Sequence, residues 1–80
     1  MDLQSLISKF GDEELFLYRA ENNTYLYKDY FDEETLCFIE VVVLDCEEAM
    51  FHRETLNDLV GMVNVFGGHV GFNNEVIYSV

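Results

Sequence analysis

Residues 36–44 read Leu36-Cys37-Phe38-Ile39-Glu40-Val41-Val42-Val43-Leu44, nearly continuously apolar with three consecutive valines. A run of this length, rich in β-branched residues, is expected of a central strand covered on both faces. Glu40 is the one charge inside it, at the position expected to reach solvent or a tyrosine hydroxyl, because carboxylates are seldom buried without a partner. Working back from this strand, Asp32, Glu33 and Glu34 form a polar break, and before it Tyr25 to Tyr30 alternate with period two. Glu21 to Thr24 break the chain again, and Glu14 to Ala20 alternate in the same way, so residues 14–30 read as an antiparallel hairpin.

Each end of the chain adds a helix or a shorter hairpin. Asp2 is placed to cap a helix whose apolar positions are Leu3, Leu6, Ile7 and Phe10, with Gly11 as a left-handed terminator. Thr55, followed three residues later by Asp58, opens a second helix with Leu56, Leu59, Val60, Val63 and Phe66 on one stripe, stopped by Gly67 and Gly68. Met62 and Val65 lie off that stripe, leaving either a second covered side or apolar surface for a partner. Residues 69–72 and 75–80, around Asn73 and Asn74, read as a short hairpin or one bulged strand. Residues 45–51 are open between loop, short strand and first helical turn.

The expected fold is α+β: one domain over residues 1–80, an antiparallel sheet of four to five strands with two helices on one face, in the order α-β-β-β-α-β(β). The expected core is Leu3, Leu6, Ile7, Phe10, Leu17, Phe38, Val41, Val43, Leu56, Leu59, Val60 and Val63.

Composition bounds function more than any motif does. Eighty residues leave room for one small core and exclude a large enzyme, since so short a chain buries only about 60% of its unfolded surface. Half the residues are hydrophobic, which disfavours disorder. Four Lys and Arg against sixteen Asp and Glu give a net charge of -12. Lys9, Arg19, Lys28 and Arg53 are scattered, so no direct nucleic-acid binding is expected. The opening MDLQSLISKF lacks a basic region followed by an apolar one, and no apolar stretch approaches the roughly 20 residues that span a bilayer. A soluble protein of the cytoplasm is expected, with no membrane contact.

No cofactor or metal site is legible. Cys37, Cys46, His52 and His69 lack the paired spacing of structural zinc ligands. His52 reads as a surface residue and His69 as part of a turn. Asp29, Asp32, Glu33 and Glu34 are a cluster of hard oxygens without the glycine-containing loop of a calcium site. Cys37 lies in the apolar run, and Cys46 is followed by Glu47 and Glu48, which raise a thiol pKa and oppose thiolate chemistry. The two cysteines read as reduced, with a Cys37 to Cys46 disulfide the alternative. The glycines follow the second helix rather than open it, so no helix N-terminus cradles a phosphate. A non-enzymatic protein is expected.

What remains is where the charge falls. Asp12 to Glu14, then Asp29 with Asp32 to Glu34, then Asp45 with Glu47 and Glu48, each flank an expected strand. Loop carboxylates keep a hydrophobic domain soluble, but a net magnitude of about 2 to 8 suffices for that, and self-repulsion destabilises a compact chain. The excess points to a basic partner. Five tyrosines fit an interface, where they offer rigid area and stack on arginine. The expected partner-binding set is Tyr27, Asp29, Tyr30, Asp32, Glu33, Glu34, Asp45, Glu47 and Glu48. In an alternating meander, the first and third clusters are expected at the end of the sheet opposite to the second, unless residues 45–53 join them.

In length, charge and tyrosine-rich sheet, though in no motif, the chain resembles the small acidic inhibitors encoded by phages and mobile elements. These include DNA-mimic anti-restriction, anti-CRISPR and glycosylase-inhibitor proteins. The resemblance implies an inhibitor of a basic, nucleic-acid-handling protein in the host cytoplasm, and carries no residue across. Carboxylates at i and i+2 on a strand stand roughly 6.5 to 7 Å apart, similar to successive phosphates of one DNA strand. The alternatives are an immunity protein or antitoxin that neutralises a basic toxin, and a small structural homodimer subunit joined through Met62, Val65 or the apolar end Val76 to Val80.

Overall fold

The Asp2 carboxylate accepts from the Ser5 N–H at 2.8 Å, and this hydrogen bond holds the acid below its ordinary range. It caps helix α1 (Leu3–Phe10), which buries Leu6 and Phe10 and leaves Leu3 and Ile7 half-buried against the core. Gly11 ends the helix in the right-handed region, φ -56°, and not the left-handed one expected. Glycine suits the position for a different reason: a Cβ there would stand 2.5 Å from the Ile7 carbonyl oxygen.

The computed structural model describes residues 1–21, 24–34, 36–45 and 53–80, with backbone alone for 17–32 within that range. Strands β1 (Glu14–Glu21), β2 (Thr24–Asp32) and β3 (Cys37–Val43) form the expected antiparallel meander. Strand β4 (Arg53–Thr55) leads directly into helix α2 (Leu56–Phe66), followed by β5 (Gly68–Phe72) and β6 (Glu75–Ser79). All six strands belong to one sheet, in the order β4-β1-β2-β3-β5-β6. The α+β class and the two helices are as expected. The additional strand is β4, which turns back beside β1 with Phe16 opposite Arg53 and Glu14 opposite Thr55.

Strand β3 is central in the sheet order, but its residues alternate between buried and half-buried. Cys37, Ile39, Val41 and Val43 face the core, while Phe38, Glu40 and Val42 lie on the side without helices. Two expectations are corrected here. The strand is fully covered on one face only, and Phe38 is not a core residue, because it has the parity of Glu40. Leu15, Cys37, Ile39 and Val70 join the core in addition to the expected set, and Leu17 falls where backbone alone is described.

Helix α2 closes the core with Leu56, Leu59, Val60 and Val63. At its start the Thr55 hydroxyl accepts from the Asp58 N–H at 3.2 Å and donates to the Asp58 carboxylate at 2.8 Å. Its next two free donors are used as well: Leu56 N–H reaches the Glu13 carbonyl and Asn57 N–H the Gly11 carbonyl, which fastens α2 to the turn after α1. Met62 packs against the core, and Val65 is 76% exposed.

Asn73 and Asn74, both at positive φ, make the two-residue turn between β5 and β6. Asn73 also exchanges two hydrogen bonds with the Phe38 backbone, its side-chain oxygen accepting at 2.7 Å and its N–H donating at 2.8 Å. The pairing of β6 shifts between Val76 and Tyr78, and Ile77 and Tyr78 both pack toward the core. The Tyr78 hydroxyl donates to the Asn64 side-chain oxygen, tying β6 to α2. His69 lies within β5, not in a turn. Among the described residues, no helix is long and apolar enough to cross a membrane.

Candidate functional site

Strand direction sorts the acidic clusters. Strand β1 begins where β2 ends, because the two are antiparallel neighbours, and β6 begins at that same end because β5 runs opposite to β3. Asp12, Glu13, Glu14, Glu33, Glu34 and Glu75 are therefore exposed at one end of the sheet, with Asp32 closing β2 among them. The sequence expectation paired the first cluster with the third. The register instead joins the first with the second.

Asp45 follows β3 at the opposite end, exposed and at φ 48°. The seven residues of β3 separate it from Glu33 and Glu34 by roughly 20 Å at the rise of an extended chain. Tyr27, Asp29 and Tyr30 lie in β2. Lys28 and Asp29 together stand opposite Glu40, between the pairs Tyr27 with Val41 and Tyr30 with Ile39. Glu47, Glu48, Cys46 and His52 lie outside the described residues, as does any pairing of Cys37 with Cys46. The expected set thus splits into Asp32, Glu33 and Glu34 at the β2–β3 turn, Tyr27, Asp29 and Tyr30 within β2, and Asp45 at the far end.

Two further acids crowd the same region. The Glu54 carboxyl is pushed above its ordinary range by burial, with the negative charge of Asp58 adding to the effect. Of the cations whose side chains are described, Arg53 stands 3.2 Å from the Glu14 carboxylate and lies over the Phe16 ring, 4.3 Å from its centroid. Lys9 lies 5.5 Å from the centroid of Phe10. Among the described residues, no three of His, Cys, Asp or Glu are grouped to hold a metal ion.

The open face of the sheet carries a cavity of about 130 Å³ between Phe38 and Glu40 of β3, His69 and Gly71 of β5, and Glu75 and Val76 of β6. Sequence reasoning missed it, since β3 and β5 are brought together only by the fold. The available signal was the Asn73-Asn74 pair, which marks the hairpin that sets Glu75 beside Phe72.

The chain was compared with protein-family models, curated proteins and solved structures. None of the three gives a match.

The charge pattern has a direct consequence for stability. Melting temperature should rise between about 20 and 500 mM NaCl, because screening over a shorter Debye length relieves repulsion among the end carboxylates. A calorimetric melting temperature that stays flat across that range would show the carboxylates too far apart to repel.

Proposed function

We propose that the protein is a non-enzymatic acidic inhibitor that docks on the basic surface of a nucleic-acid-handling protein and excludes nucleic acid from it. The observation that carries this reading is the gathering of Asp12, Glu13, Glu14, Glu33, Glu34 and Glu75 at one end of a single sheet. They stand at the starts of β1 and β6 and in the segments that adjoin β1 and β2, and together give that end of the sheet one sign of charge for a basic surface to meet. The opposite charge of the partner steers the encounter, and association slows steeply with ionic strength.

In this reading Asp32, Glu33 and Glu34 are the central contacts, and Asp45 lies on a different surface. The test is capture of the partner from host lysate, followed by competition with duplex DNA. Reversal of Asp32, Glu33 and Glu34 to lysine should reduce binding at least about a hundredfold, since each lost charge pair at an interface costs on the order of 1 kcal/mol or more. Asp45→Lys should leave affinity within about twofold, as expected of a charge outside the contact. Equal binding by the triple variant and the parent, or a captured protein that DNA does not displace, would remove the reading.

A further inference from the structure

We propose that Glu14 and Phe16 form an arginine-binding site at the acidic end of the sheet, which Arg53 fills in the free protein and from which an arginine of the basic partner displaces it. The inference rests on the reading that the partner is basic. Glu14 and Phe16 lie on either side of Leu15 in β1. Leu15 is fully buried, so strand alternation turns the other two away from the core, and both are exposed. A carboxylate and an aromatic ring therefore stand two residues apart on the outward side, next in sequence to Asp12 and Glu13.

Arg53 shows what this pair of groups takes. Directly opposite Phe16 on β4, it places Nε 3.2 Å from Oε2 of Glu14 and its guanidinium carbon 4.3 Å from the Phe16 ring centroid. A planar, weakly hydrated guanidinium uses both groups at once, stacking on the ring while it donates to the carboxylate. An ammonium group is a compact, strongly hydrated charge and gains less from the ring.

The internal occupant is held loosely. The side chains of Arg53 and Glu14 are 58% and 52% exposed, and an ion pair so open to water is weak. Its strand, β4, is three residues long and has β1 as its one neighbour in the sheet. An arriving arginine remakes the same two contacts, and Arg53 on release is hydrated. The exchange is therefore near balance at the site itself, and attraction of the partner to the neighbouring acids tips it. Arg53 is an internal competitor, lowering apparent affinity in proportion to the fraction of molecules whose site is filled.

The experiment titrates the full chain with short oligoarginine and oligolysine peptides at about 20 mM salt, where screening is weak, and follows the backbone amides and the Arg53 Nε–H signal. Oligoarginine should shift Glu14 and Phe16 and move the Arg53 Nε–H out of the Phe16 ring current, toward the position of free arginine. Arg53→Gln should tighten oligoarginine about threefold to tenfold, as for removal of a competitor held by one exposed ion pair and one exposed cation–π contact, and oligolysine by less. Phe16→Leu added to Arg53→Gln should remove most of that gain, whereas a gain from net charge alone would survive it. Circular dichroism checks folding, and if Arg53→Gln loosens β4, Arg53→Lys carries the test: it keeps the charge, stacks less well and should tighten oligoarginine about twofold. An Arg53 Nε–H signal that stays in place at saturation, or a gain that survives Phe16→Leu, would overturn this site and leave the basic-partner reading standing. Binding of neither peptide by parent or variant would overturn both.

Discussion

Replacing Gly68 by alanine should cost about 3 kcal/mol or more, as expected where a side chain meets both a forbidden backbone angle and a neighbouring main chain. Gly68 sits at φ 135°, and a Cβ there would lie 1.9 Å from the Val42 carbonyl oxygen. The contact is with backbone, so no rotamer relieves it. Gly68 pairs with Val43 where β5 joins β3, and it exchanges hydrogen bonds with Val80, so any shift disturbs both neighbours. A domain of this length has a total stability of only about 4 to 12 kcal/mol, and the loss is a large share of it. Gly61, exposed on α2 with nothing within 4 Å of its Cβ position, is the control. There alanine should stabilise by about 0.5 to 1 kcal/mol through helix propensity. Urea titrations giving Gly68→Ala and Gly61→Ala the same midpoint would contradict the β3–β5 junction described.

Leu59→Ala should destabilise by about 2 to 5 kcal/mol, the range for a leucine removed from a packed core. Leu59 is 0% exposed and belongs to the cluster that joins α1, α2 and the sheet. Alanine recovers only a few tenths of a kcal/mol in helix propensity, far less than the cavity costs. Val65→Ala, on the exposed side of the same helix, should change stability by less than about 0.5 kcal/mol. Equal effects at the two positions would mean that α2 is rotated from the orientation described.

Both helices were legible because each carries its start signal in sequence: Asp2 three residues before Ser5, and Thr55 three before Asp58. The meander was legible through its polar breaks. Strand phase was less so. In residues 36–44 both parities are apolar, and hydrophobicity alone does not say which side is inward. Glu40 held the answer, since its parity marks the open side, and applying it to Phe38 would have moved that residue outward. Strand β4 has no alternating pattern of its own, and its identity comes from pairing with Glu14, Leu15 and Phe16. The joining of the first two acidic clusters follows from strand direction once the β1–β2 hairpin is accepted. The cavity was hidden for a different reason: its walls come from three strands, and nothing local to any of them encodes the pairing of β3 with β5.

The irregular pairing of β6 bears on cross-β assembly, a hazard for so apolar a chain. An edge strand with an even row of outward N–H and C=O groups is a template on which further strands accrete into fibrils. The bulge at Ile77 interrupts that row, and Glu75 sets a charge at its start. The opposite edge, β4, is only three residues long. Strand accretion is thus hindered at both edges, which disfavours self-association through β6.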